Sequence, residues 1–169
     1  MIFKANIEDV PDMLHIRKLC WLDNYVGERF NITREEILSL DFDSQKAVEE
    51  WENKFNNSEF YGFIRGDKII GFIGITDLYN NKDNLIYYLY VDPSHQSMGV
   101  GQSLLNRAFQ VFENKADTVL VVGVHNERAI NFYKKNGFEY SRPDSPIILT
   151  SGKIIPTMKM IKKYDNQTI

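Results

Sequence analysis

The chain has one cysteine in 169 residues, no excess of basic charge and no apolar run of membrane-spanning length. The lone thiol, Cys20, excludes an internal disulfide framework and fits a reducing compartment. Twenty Lys and Arg stand against 23 Asp and Glu, giving a formal charge of −3 and a pI near 5.6. The broad positive field that a nucleic-acid binder needs for phosphates is therefore missing. No stretch reaches the roughly 20 apolar residues of a membrane-spanning helix. The opening MIFKANIEDVPDM sets Glu8, Asp9 and Asp12 where a secretory leader would be apolar. We expect a cytoplasmic protein with neither nucleic-acid nor membrane partners. His15, His95 and His125 are scattered, without the cysteine or carboxylate spacing of a metal centre, so no metal is expected.

A hydrophobic content of 43% over this length fills one core, and no repeat, linker or low-complexity tract divides it, so a single domain over residues 1–169 is expected. IFKANI reads as a short strand. Asp9 then serves as a helix cap, with Pro11 and Asp12 in the first turn. Val10, Met13, Leu14, Arg17 and Trp21 recur at helical spacing. Thr33 and Glu36 form a capping box, and Ala47, Val48, Trp51 and Phe55 continue a helical stripe beyond a break at residues 41–44. From Glu59 the pattern becomes β-rich, with Gly66 and Asp67 as a hairpin turn and a third strand over residues 84–91, ended by Asp92 and Pro93.

Leu104, Leu105, Ala108, Phe109 and Phe112 form the face of another helix. Residues 118–124, TVLVVGV, are apolar enough for a strand buried on both faces. Asn126 can cap a last helix and Gly137 can end it in the left-handed conformation. Residues 138–140 and 154–161 would close an antiparallel pair, leaving KKYDNQTI as a frayed tail. The order is β-α-α-β-β-β-α-β-α-β-β.

The chemistry concentrates at HQSMGVGQSLL, where a strand gives way to a helix through Gly99 and Gly101. Free N–H groups at such a junction point outward with the positive end of the helix dipole and bind anions. Two residues without Cβ would let a phosphate approach the main chain; alternatively, they only permit a tight turn. A dinucleotide fold would require glycine where Leu104 stands, and a P-loop would require lysine where Gln102 stands. Both common nucleotide motifs fail.

The segment closely resembles the acyl-CoA-binding segment of the GNAT superfamily of N-acetyltransferases, Gln/Arg-x-x-Gly-x-Gly/Ala, here Gln96-Ser97-Met98-Gly99-Val100-Gly101. NERAINFYKKNGFEY, from Asn126 to Tyr140, resembles the second conserved segment of that superfamily, in the same order. The resemblance implies an α/β (α+β) GNAT fold, a mixed and mostly antiparallel sheet of about seven strands flanked by helices. It implies acetyl-CoA as cosubstrate, with its diphosphate on main-chain N–H groups of Gln96, Ser97, Met98, Gly99, Val100 and Gly101 and on the start of the helix at Gln102 and Ser103. The strand ending Leu89, Tyr90, Val91 would part from residues 118–124 to admit the pantetheine arm, with the Val91 N–H as oxyanion donor. Asn126 would contact the pantetheine arm or the acyl region, and Tyr133 would protonate the departing thiolate.

Direct attack of an amine on a thioester requires a base for the amine proton, alignment, and donors for the oxyanion, but no covalent enzyme intermediate. Cys20 accordingly reads as a core residue. Many members of the superfamily carry a carboxylate near residues 85–88, where this chain has Leu85, Ile86, Tyr87 and Tyr88. Substitutes would be a water chain on Asp77 or Tyr88, or the imidazole of His125; His95 reads as a loop residue. Tyr133 shares its helix with Ala129 and Ile130, so packing is its plain role and acid catalysis the one the motif favours. Trp21, Tyr25 and Tyr79 either line an acceptor pocket or fill the core. The acceptor would be a small amine or polyamine in preference to a protein N-terminus or lysine; family members often form homodimers. The missing carboxylate leaves open a non-catalytic acyl-CoA sensor on the same fold.

Overall fold

The computed structural model describes residues 1–79, 82–113 and 115–164, with Tyr79 as backbone alone. The elements run β1 (Ile2–Lys4), α1 (Val10–Tyr25), α2 (Arg34–Leu38), α3 (Gln45–Glu52), β2 (Glu59–Arg65), β3 (Lys68–Tyr79), β4 (Asp83–Val91), α4 (Val100–Val111), β5 (Thr118–Gly123), α5 (Glu127–Lys135), β6 (Glu139–Ile148) and β7 (Ile154–Lys162). The strands hydrogen-bond in the order β1-β2-β3-β4-β5-β7-β6. The pair β4–β5 is parallel, while β1–β2, β2–β3, β5–β7 and β6–β7 are antiparallel. The result is the mixed, mostly antiparallel seven-stranded sheet with flanking helices expected from the sequence. Among the described residues no helix is long and apolar enough to cross a membrane.

Two compact units make up the chain. The first comprises Met1–Ile75 and Tyr88–Val111, the second Thr76–Tyr87 and Phe112–Ile169. In the first, the stripe of α1 is buried at Val10, Met13, Leu14 and Trp21. α1 contributes with Ala47 and Trp51 of α3 and Phe60 and Phe72 of the sheet to one core. The Trp51 ring lies 5.9 Å from Phe72 and 4.7 Å from Tyr88. On α4, Leu104 and Leu105 are fully buried, each stabilising the unit by about 1.5–3 kcal/mol relative to exposure. Gly71 of β3 makes that packing possible, because a Cβ there would stand 3.0 Å from the Tyr90 carbonyl oxygen and 3.1 Å from Val100 Cγ1.

The start of α1 differs from expectation. Asp9 accepts no bond from the first turn of α1. Instead Asn6 caps the preceding 3-10 turn, accepting from the Glu8 N–H at 2.7 Å, and Asp9 reciprocates by accepting from the Asn6 N–H at 2.9 Å. The caps at Thr33 and Ser44 form as single local motifs and start α2 and α3.

In the second unit β5 pairs with β7 from Thr118↔Lys162 to Gly123↔Thr157. The expectation of a strand buried on both faces fails at Val121, which is 47% exposed. β6 extends to Ile148, far beyond the three residues anticipated, because Pro143 and Pro146 sit on a strand bonded to β7 alone, where a missing donor is tolerated. Gly137 ends α5 with φ +85°, as expected. Lys163 and Tyr164, assigned to a frayed tail, are tied to Asp117 by a 2.7 Å ion pair and a 2.8 Å main-chain bond. Residues 165–169 lie outside the described residues.

Candidate functional site

The first unit holds most of the expected site. Leu89, Tyr90 and Val91 end β4, and all three are half-buried. The Asp92 N–H donates to the Ile70 carbonyl of β3 at 2.9 Å. Alternation along a strand then turns the main-chain groups of Tyr90 toward β3 and those of Leu89 and Val91 to the other edge. At that edge the Val91 carbonyl accepts not from a strand but from two side chains, the Cys20 thiol at 3.2 Å and the Gln96 amide at 3.0 Å. Cys20 is thus a buried core residue, as anticipated, with its thiol fixed on the main chain of the site. Gln96, the first residue of the quoted motif, ties the loop to the strand end.

Between strand and helix the loop is held mainly by its own polar groups. Asp92 accepts from the Ser94 N–H at 2.8 Å and the Ser94 hydroxyl at 2.6 Å, closing a 3-10 turn at Pro93–His95. Burial works against the Asp92 anion, but the two Ser94 bonds and the neighbouring His95 and His15 hold its carboxyl below the usual range. His95 Nδ1 lies 2.9 Å from the Ser94 hydroxyl, a place within the turn. Ser97 and Gly99 then adopt left-handed backbone at φ +63° and +79°. A Cβ on Gly99 would meet nothing within 4 Å. Its glycine is explained by the backbone conformation, and the space beside it is open.

α4 begins at Val100, whose side chain is buried. The Ser103 N–H and hydroxyl both donate to the Gly99 carbonyl at 3.0 Å, and the Gln102 side chain donates to Asn106 at 2.9 Å. By helix geometry the N–H groups of Val100, Gly101 and Gln102 have no acceptor within the helix. No acidic residue occupies the first turn of α4. The exposed Met98 accepts from Arg65 at 3.4 Å.

Behind the strand end lies an aromatic cluster. Tyr90 accepts a 3.2 Å bond from the Trp21 indole. Burial raises its phenol above the ordinary value, with Arg17 and the Trp21 bond opposing. The Arg17 guanidinium stands 4.9–5.6 Å from the ring centres of Trp21, Phe42 and Trp51, and its buried Nε has no hydrogen-bond partner among the described residues. In the sequence Arg17 stands in the apolar stripe of α1, and a cation at such a position is the signal for this arrangement. Trp21 and Tyr25 are buried among each other and Phe42. Burial, followed by Tyr90, pushes the Tyr25 phenol up to about 12. Tyr88 is stacked near Trp51 and Phe60. The side chain of Tyr79 lies outside the described residues.

The second unit holds the other two expected residues. Asn126 caps α5, its Oδ1 accepting from the Ala129 N–H at 3.1 Å, which leaves the two amide hydrogens of its side chain without a partner among the described residues. Tyr133 is buried on α5, its ring 5.3 Å from Phe132 and 5.6 Å from Phe138. His125, in the turn before Asn126, and Asp77 on β3 are exposed. No group of three or more His, Cys, Asp or Glu side chains suited to a metal occurs among the described residues.

The family described as the Acetyltransferase (GNAT) family matches residues 13–138. An uncharacterized N-acetyltransferase of Methanocaldococcus jannaschii is 30% identical over 96 residues, 53% of this chain and 42% of that protein. The chain thus spans less than half the length of that relative. The crystal structure of the PaiA N-acetyltransferase from Thermoplasma acidophilum in complex with coenzyme A superimposes with a TM-score of 0.77 at 24% identity, covering 97% of this chain and 98% of that one. The ribosomal-protein-S18-alanine N-acetyltransferase from Escherichia coli does so with a TM-score of 0.64 at 17% identity, covering 100% and 98%. At these identities the two structures speak for the fold.

Proposed function

Because the chain belongs to the Acetyltransferase (GNAT) family, which matches more than half of it, we propose that it transfers an acetyl group from acetyl-CoA to a primary amine. Residues 1–169 would act as one N-acetyltransferase domain. The observation that carries this reading is the junction at Gly99, where a glycine precedes the helix, no acid stands in its first turn and open space lies in place of a Cβ. Main-chain N–H groups from Gln96 to Gln102 would hold the diphosphate. Ser103 supports the bend by bonding the Gly99 carbonyl.

The edge of Leu89 and Val91 would bind the pantetheine arm as an added strand is bound. With the Val91 carbonyl held by Cys20 and Gln96, its N–H is the donor for the oxyanion. The side-chain amide of Asn126 would meet a carbonyl of the arm. The neutral amine attacks the thioester carbon, the carbon–sulfur bond breaks, the Tyr133 hydroxyl gives its proton to the thiolate, and the proton lost by the attacking nitrogen passes through water to restore the phenol. A primary amine, with a pKa of about 10, must lose a proton before it attacks. Of the candidate anchors for that proton, Asp77 and His125 are exposed and Tyr88 is packed on Trp51. A small amine, including a polyamine, is the favoured acceptor.

A second reading, an acyl-CoA sensor, is favoured by one observation. Leu85 and Ile86 are buried apolar residues in the stretch where many members of the family carry a carboxylate. Free-thiol release measured with acetyl-CoA and a panel of amines separates the two. Amine-dependent release that falls tenfold or more in Tyr133→Phe, with CoA affinity within twofold of wild type, supports the enzyme; CoA binding without release across the panel supports the sensor.

A further inference from the structure

The second unit carries a hollow in its sheet whose exposed and charged side chains, Tyr87, Val121, Lys159, Arg142 and Asp144, have no part in acetyl transfer as proposed above. Val121 pairs with Lys159 and Lys159 pairs with Arg142, so the three share one face. Tyr87 and Val121 each follow a paired residue, Ile86↔Leu120, and therefore stand on a common face as well. Across four strands the row reads Tyr87, Val121, Lys159, Arg142: a ring, an aliphatic side chain and two cations. With Asp144 they line a cavity of about 360 Å³ floored by Leu85, Val119 and Leu120, at the small end of the range for ligand pockets.

Two features set this face apart from an ordinary solvated strand surface. Tyr87 and Val121 are 43% and 47% exposed in mid-strand, although their neighbours Ile86 and Leu120 are buried. Arg142, Lys159 and Asp144 make no ion pair or hydrogen bond through their side chains among the described residues. Three charged groups around one hollow are thus without partners among the described residues, two positive and one negative, which leaves one net positive charge.

We propose that this face binds a small amphipathic carboxylate, its apolar body on Val121 and Tyr87 and its anion between Lys159 and Arg142. Neighbouring strands lie about 4.8 Å apart, so Lys159 stands one spacing and Arg142 two spacings from Val121. A ligand of one ring and a two- or three-carbon acid spans that distance. Asp144, two residues beyond Arg142 on the same face, accepts from a hydroxyl or ammonium on a more elaborate ligand.

Titration calorimetry with 3-phenylpropionate and its neutral amide tests the proposal on the whole chain. The carboxylate is expected to bind at least tenfold tighter than the amide. That ratio falls to near one in the Arg142→Gln, Lys159→Gln double variant, and both probes lose binding in Val121→Glu. Arg142 is exposed and Lys159 half-buried at the rim, and melting curves confirm that the variants fold. Equal affinity for the two probes, no binding of either, or an unchanged ratio in the double variant overturns the proposal. Neither probe is an amine and no acetyl-CoA is present, so failure here leaves the acetyltransferase reading standing.

Discussion

The junctions β4–α4 and β5–α5 both carry the chain from a strand into a helix, and they are finished in opposite ways. At β5–α5 the protein closes the helix end itself, with Asn126 accepting from the first turn, as Thr33 and Ser44 do for α2 and α3. At β4–α4 the residue in that place is Gly99, which has no side chain to offer, while Asp92 accepts from Ser94 and the Gln96 amide donates to the Val91 carbonyl. A cap is worth about 1 kcal/mol. A helix start that forgoes it leaves its first N–H groups without a side-chain acceptor from the N-cap position. The proposed function gives that second junction to the ligand.

The largest effect should come from placing a side chain on the uncapped junction. Gly101 lies in the first turn of α4 and is not among the left-handed residues, so Gly101→Val tests approach without backbone strain. CoA affinity measured by calorimetry is expected to fall a hundredfold or more, with the melting temperature shifted by only a few degrees. Affinity within threefold of wild type would make α4 no different from α5.

A smaller effect sharpens the other side of the contrast. Asn126→Ala removes the α5 cap and should cost about 1 kcal/mol, a fall in melting temperature of about 2–4 °C for a chain of this size. Asn126→Asp, which restores a cap acceptor, should recover it. If the alanine variant melts like wild type, the cap is not what starts α5.

The smallest effect is in the acid limb. Because the folded-state pKa of Asp92 is depressed, its contribution is present above the unfolded value of about 3.9 and is lost as pH falls through the folded one. The stability difference between wild type and Asp92→Asn, from melts between pH 3 and 7, should be constant near neutrality and shrink toward pH 3. A difference that grows on acidification would mean that the 3-10 turn does not rest on the carboxylate.

What was legible in the sequence was local. The capping box at Thr33, the cap at Asn126 and the hairpin at Gly66 involve residues within a few positions of one another, and each forms where the sequence places it. Asp9 does not cap α1 because its carboxylate is engaged by the Asn6 N–H, closing a box around the 3-10 turn that leads into the helix. The length of β6 is not legible in the sequence, because Pro143 and Pro146 are tolerated in a strand only at an edge, and which strand is an edge is decided by tertiary pairing. The Val121 exposure has the same origin, since an apolar run says nothing of which face is covered. The bonds from Cys20 and Gln96 onto the Val91 carbonyl could not be read, for the first joins residues 71 positions apart and the second depends on the loop's turn.

The two prolines of β6 have a use outside the site. The final strand of a sheet presents a rim of main-chain groups on which a stray extended peptide could grow, the first step toward fibrillar self-association. Pro143 and Pro146 delete two hydrogen donors from the strand that ends this one, and irregular register at residues 140–142 and 144–147 buckles it further. A growing stack would find no even template there, so the rim discourages polymerisation by its covalent make-up.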